Sequence, residues 1–338
     1  MSRRFKYVVV LFVALISITL LITVAMAEER SLVIYSSVDE ENAIKILDAF
    51  TADTGIQVKM VVLSSGPALS RIEAEKTNPQ ADLWFGAPNE NHIVARERGL
   101  TQPYLSKESD ELAANFKDPE GFWYAFYMNP LGFGVLDKEL KKAGIPVPAS
   151  WADLTNPEYK GMIQMPSPQS SGTAYAMLQT LMTVYGEDKA FDYMKKLNPN
   201  VQTYTQSGTG PSKNLAIGEA DIAIQFTPAF LKLVDQGYPS TVVFPAEGVG
   251  YEAAALSILK GAKHLQEAKA LVDWIISKKG QETLSVAKTY FFPVRPDVSA
   301  GEGLPSLSEI KLIDYDREKA AKDKKRIVER WVTQVLGQ

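Results

Sequence analysis

Four short segments carry the residues most able to hold a small anion: Ser36-Ser37, Ser64-Ser65-Gly66, Ser170-Ser171-Gly172-Thr173 and Ser207-Gly208-Thr209. Each stands between a strand-like apolar run and a helical pattern. Hydroxyls there donate hydrogen bonds without adding charge, and the free N–H groups of a helix start attract negative groups. In open α/β sheets ligands collect beyond the carboxyl ends of the strands. One such turn serves equally well as a plain helix cap. Four of them, two in each half of the chain, point to a site assembled from both halves.

Chemistry other than binding finds little support. His92 and His264 are the only histidines, and both read as surface side chains in polar, helical surroundings. There is no cysteine, no His-Glu-x-x-His, no Gly-x-Ser-x-Gly and no P-loop. Asp39-Glu40-Glu41 suit the dipole of a helix start and need no metal to explain them. No catalytic residue, cofactor or metal site is therefore expected. Trp84, Trp123, Tyr124, Tyr127, Phe291 and Phe292 read as packing, with Tyr124 and Tyr127 the two that could reach a cleft.

The elements that must position these turns alternate. Ser31–Tyr35, Ile56–Val62 and Ala81–Phe85 read as buried strands, each followed by a turn and a helix, Gly86-Ala87-Pro88 being the third turn. Ile163–Pro166, Val201–Tyr204 and Asp221–Phe226 repeat the device farther on, with a helix from Ala174 to about Val184. Alternation of this kind predicts an α/β fold with a largely parallel sheet. Phe122–Phe133 reads as extended chain leaving a first lobe, and Val242–Leu259 as the return. The spacing predicts lobe 1 from 28–128 plus 252–338, lobe 2 from 132–245, and two hinge crossings near 127–134 and 244–253. The stripe Ile327, Val328, Trp331, Val332 and Val335 predicts a final helix packed on a lobe.

Arg3, Arg4 and Lys6 precede an apolar run ending in Ala25-Met26-Ala27, which is the layout of a secretory signal peptide over 1–27. The alternative is a retained membrane anchor, for about 18 apolar residues can span a bilayer. Cleavage would leave 33 basic against 40 acidic residues, a net charge near −7. Without a basic block, nucleic acid is a poor partner. About 311 remaining residues suit two lobes and a monomer.

Val33-Ile34-Tyr35-Ser36-Ser37, Ala81–Gly86, Leu131-Gly132-Phe133-Gly134, Gly250-Tyr251-Glu252, Gly261-Ala262-Lys263 and Phe292–Pro296 keep the order and approximate spacing of a known family. The sequence resembles the ferric-iron-binding-like group of periplasmic solute-binding proteins over nearly all of the chain after residue 27. That resemblance implies a two-lobed type II periplasmic-binding-protein fold. It also implies a periplasmic location and a small ligand delivered to the inner-membrane permease subunits of an ABC importer. The group includes receptors for iron, phosphonates, sugar phosphates and thiamine. Iron binders of the group carry two adjacent tyrosines after the strand written here Ile222-Ala223-Ile224. This chain has Gln225-Phe226-Thr227 instead, which makes Gln225 a candidate ligand residue. Glu252, by the same resemblance, either receives donors from the ligand or is a buried hinge acid. The reading is a receptor for an anionic solute bearing phosphate, phosphonate or carboxylate. A ferric-iron receptor without the tyrosine pair, and a secreted enzyme on the same fold, are the alternatives.

Overall fold

The computed structural model describes residues 30–337, so the expected signal segment lies outside the described residues. Lobe 1 begins with β1 (Ser31–Ser36), α1 (Glu40–Thr54), β2 (Gln57–Val62), α2 (Ser65–Ala74), β3 (Leu83–Pro88) and α3 (Asn89–Glu97). The long strand β4 (Tyr124–Val135) crosses to lobe 2. That lobe holds α4 (Asp137–Ala143), β5 (Ile163–Pro166), α5 (Gly172–Tyr185), α6 (Glu187–Leu197), β6 (Val201–Thr205), α7 (Gly210–Ala216), β7 (Ile222–Phe226), α8 (Pro228–Asp235) and β8 (Thr241–Val243). Strand β9 (Val249–Ile258) returns to lobe 1 and leads to α9 (Leu265–Ile276) and α10 (Lys278–Val286). The chain closes with β10 (Leu312–Ile313) and α11 (Arg317–Trp331).

Local sequence explains the first helix. The Asp39 side chain caps α1 by accepting from the Asn42 N–H, and Glu40 and Glu41 occupy its positive end. Ala43, Ile46, Leu47 and Phe50 recur at helical spacing and are buried, and Gly55 ends the helix at φ 71°.

The sheet runs in the order β2-β1-β3-β9-β4-β7-β5-β6, with β8 beside β4 and β10 beside β9. Its outer parts are parallel: β1 with β2 and β3, and β5 with β6 and β7. The middle is antiparallel, so the sheet is mixed rather than largely parallel. The reason is mechanical, since β4 carries the chain over and β9 carries it back. They pair with Met128 opposite Ala253 and Asn129 opposite Glu252. Gly86-Ala87-Pro88 stays within β3 as an irregularity of its pairing with β9, Gly86 and Ala87 having φ of 86° and 78°.

Each lobe buries its own core. Ile34, Phe50, Phe85, Phe126, Leu256 and Ile275 belong to lobe 1, and Phe133, Trp151, Met165, Tyr175 and Phe191 to lobe 2. Grouping all of 252–338 with lobe 1 needs correcting at the C-terminal end. Ile310, Ile327, Trp331 and Val335 pack in the core of lobe 2, with Trp331 edge-on to Tyr204. An apolar stripe reports that a face is buried, not which surface buries it.

Ion pairs also fasten α11 to α6 of lobe 2. Glu187 accepts from Arg326 at 2.6 and 3.0 Å and from Arg330 at 2.7 Å. These bonds, that of Arg326 foremost, hold its carboxyl down to about 2 from an ordinary 4.5. A depressed folded-state value stabilises the fold above the unfolded value, and the contribution is lost as pH falls toward 2. Glu187→Gln is thus expected to lower the melting temperature at pH 7, with the gap to the parent protein closing between about pH 4.5 and pH 2. A gap that is constant across that range in calorimetry would refute the linkage.

Candidate functional site

Between the lobes lies a cleft of about 480 Å³. Lobe 1 lines it from the β1–α1 turn, the β2–α2 turn and the end of β3. Lobe 2 lines it from the starts of α5, α7 and α8, and the crossing strands supply Tyr127, Asn129 and Glu252. The lobes also touch around it. The Gly66 N–H donates to the Ser170 carbonyl at 3.1 Å, Tyr290 Oη to Asp235 Oδ2 at 2.5 Å, and Lys232 to Glu41.

Of the hydroxyl and glycine turns, Ser37, Ser64, Ser65, Ser171, Thr173, Ser207, Gly208 and Thr209 line the cleft, as do Gln225 and Glu252. Four expected residues do not. Ser36 is fully buried and spends its hydroxyl on the Val38 carbonyl at 3.3 Å. Gly66 is engaged by Ser170 through its backbone, and the Ser170 hydroxyl donates to the Gln206 carbonyl at 2.8 Å. Gly172 sits where an added Cβ would meet Pro88 and the Ser65 hydroxyl at 2.9 Å.

The residues that do face the cleft are prepared for an acceptor. Trp84, fully buried, donates its indole N–H to Ser37 Oγ at 3.0 Å. With a lone pair so occupied, the Ser37 proton is free to point into the cleft. Ser64 and Ser171 stand at the N-caps of α2 and α5, yet neither side chain caps its own helix. The α5 amides of Gly172, Thr173 and Ala174 have no backbone acceptor among the described residues. Gly208 belongs to the same cluster, for a Cβ there would meet Thr173 Oγ1 at 2.5 Å and Ser171 Oγ at 3.0 Å. Uncapped N–H groups, hydroxyls and a helix dipole together favour an anion.

Gln225 contributes less than expected. Its Oε1 accepts from the Ser212 N–H at 2.9 Å and so caps α7 from the side. Tyr127 reaches the cleft, stacked on Phe291 with ring centroids 3.9 Å apart. Tyr124 does not, because its hydroxyl donates to the Tyr104 carbonyl at 2.6 Å. Missed by the sequence reading were Asn129, Lys213 and Lys232, along with the cleft-facing role of Asp39, Glu40 and Glu41. A hydroxyl-turn search passes over a lysine on a helix flank or an amide in mid-strand.

One of the two histidines differs from expectation. His92 is fully buried, its Nε2–H donating to the Gly86 carbonyl at 2.7 Å and its Nδ1 accepting from Ser257 at 2.8 Å. Burial pulls it down to about 4, so it is a neutral packing residue beneath the β3 irregularity. His264 is half-exposed against Asp82 at 2.9 Å. Among the described residues no group of three or more histidine or acidic side chains is placed to hold a metal ion.

Residues 88–322 match the bacterial extracellular solute-binding protein family. The chain belongs to that family. An uncharacterised protein of Haemophilus influenzae is 39% identical over 331 residues, 95% of each chain. The periplasmic binding protein AfuA of Actinobacillus pleuropneumoniae, solved with exogenous fructose-6-phosphate bound, is 39% identical with a TM-score of 0.88. That match covers 92% of this chain and 99% of AfuA. Apo ferric ion-binding protein A of Pasteurella haemolytica shares the fold, with a TM-score of 0.75 at 19% identity over 89% of this chain and 96% of its own. The architecture is thus the type II periplasmic-binding-protein fold of the ferric-binding-like group, and the chain is a solute-binding receptor of an ABC importer.

Proposed function

We propose that this receptor works in the periplasm and captures a small phosphorylated organic solute, of the hexose phosphate kind, between its closing lobes. One observation carries the reading. Ser37 from lobe 1, and Ser171, Thr173 and the uncapped start of α5 from lobe 2, line one cleft as donors with few acceptors of their own. A phosphate group supplies several strong acceptor oxygens to such a cleft. Lys213 adds positive charge from lobe 2, while Lys232 pairs with Glu41 across the cleft. Asp39, Asn129 and Glu252 offer polar partners for the rest of the molecule. AfuA, with fructose-6-phosphate bound, supports the same ligand class. Because only the closed arrangement lets both lobes touch the ligand, binding favours closure, and the closed form would then dock on the permease.

The test is a melting screen of the chain from residue 28 onward, stripped of ligand by unfolding and refolding. Probes are fructose-6-phosphate, phosphoglycerate, phosphonates, thiamine, inorganic phosphate and ferric citrate. A true ligand at one hundred times its Kd stabilises the fold by about 2.7 kcal/mol. Stabilisation by a phosphate ester is expected. A response to ferric citrate alone would overturn the reading.

A further inference from the structure

Glu252 is the most deeply set carboxyl of the cleft, 7% exposed in the crossing strand β9. Its Oε1 accepts from Asn129 Nδ2 at 2.9 Å, an uncharged amide on the partner crossing strand. Acids face it from two other elements, Asp39 at the start of α1 and Glu90 on α3, and Tyr127 lies beside it on β4. Among the described residues it has no ion-pair partner, and the cation with the largest effect on it is Arg317. That guanidinium is already engaged by Glu90, Tyr315 and the Tyr251 carbonyl. A buried carboxyl with an amide partner, two acidic neighbours and no cation of its own keeps its proton. Burial first, then Glu90 and Asp39, push it up to about 8.

A protonated carboxyl has one donor and spare acceptor capacity. Here Asn129 uses the acceptor, which leaves the O–H for the cleft. Asn129 Oδ1, also buried, has no hydrogen-bond partner among the described residues. A ligand hydroxyl can accept from the Glu252 O–H, whereas an ammonium group can only donate. We infer that Glu252 meets the solute as a neutral hydrogen-bond donor and selects a hydroxyl, rather than an ammonium group, at the end away from the phosphate. The inference rests on the phosphorylated-solute reading for its ligand and extends it to the other end of the molecule.

Two phosphonates differing only at that end, 2-hydroxyethylphosphonate and 2-aminoethylphosphonate, test the selection by calorimetry at pH 7. The hydroxyl compound is expected to bind at least tenfold more tightly, and the reverse order overturns the inference. Glu252→Leu is expected to lose tenfold or more toward fructose-6-phosphate. Glu252→Gln, which keeps both an acceptor and a donor, is expected to recover most of that loss, and failure to do so in a folded protein also counts against the inference. Above pH 8 the parent affinity should fall while that of Glu252→Gln stays level. Lys324, half-buried on α11 and pulled down to about 8, titrates in the same window, and the Gln variant separates the two because it retains Lys324. An infrared difference spectrum of the two proteins at pH 7 needs no ligand. A protonated-carboxyl band present only in the parent supports the inference even if every phosphate probe fails, and its absence overturns it.

Discussion

Removing the hydroxyls of Ser37 and Thr173 together is expected to weaken fructose-6-phosphate binding by about 10²–10⁴-fold. A hydrogen bond to a charged group contributes about 1.5–3 kcal/mol, and two of them are lost. At about 1.4 kcal/mol per factor of ten the sum falls in that range. The two residues come from opposite lobes, Ser37 from the β1–α1 turn and Thr173 from the first turn of α5. The double variant therefore also removes part of what rewards closure. The side effects separate cleanly. Ser37→Ala leaves the buried Trp84 indole without its partner, a stability cost of about 1–3 kcal/mol that a ligand-free melt reads directly. Thr173 makes no side-chain hydrogen bond among the described residues, and Thr173→Ser, which keeps the hydroxyl, should bind nearly as the parent does. Isothermal calorimetry showing less than a tenfold loss in the double variant would remove the phosphate from these two donors.

Which of the candidate residues reach the ligand depends on geometry that composition does not carry. Ser36 and Ser37 are adjacent and chemically identical. Ser36 is the last residue of β1 and is buried, whereas Ser37 lies just past the strand in the β1–α1 turn, its N–H held by the Phe85 carbonyl at 2.7 Å, and lines the cleft. Ser170 and Ser171 divide similarly, one binding a neighbouring loop and the other standing open at a helix start. The alternation of strands and helices was legible because each element needs a local apolar pattern. The antiparallel middle of the sheet was not, since direction is set by where the chain must return. Asn129 shows the same limit from the other side. Nothing around Tyr127-Met128-Asn129-Pro130 marks a site, and the residue matters only because the pairing of β4 with β9 sets it opposite Glu252.

Arg317→Ala is expected to cost about 3–5 kcal/mol of stability, the usual penalty for removing one partner of a buried ion pair. Its guanidinium lies at the junction of the described parts. Nη1 donates to Glu90 Oε1 of α3 at 3.3 Å and to Tyr315 Oη at 2.9 Å, and Nη2 donates to the Tyr251 carbonyl of β9 at 3.0 Å. The group also covers the Tyr315 and Tyr251 rings, 3.9 and 4.7 Å from their centroids. Truncation strands the Glu90 carboxyl, 1% exposed, together with a hinge carbonyl. A fall in melting temperature on the order of 5–10 °C should follow. The loss should come from the stranded acid rather than from the missing attraction, because replacing both partners of a buried pair with neutral groups is often tolerated. Glu90→Gln combined with Arg317→Met, which keeps an acceptor for Tyr315 and fills the space of the guanidinium stem, should therefore regain at least half of the loss. Calorimetry that finds the single and double variants equally unstable would mean that Arg317 acts through its cover of the two rings. Arg317 is also the cation that restrains the proton affinity of Glu252. In the single variant Glu252 should hold its proton to still higher pH, so the upper limit of ligand binding should move upward even as the fold weakens.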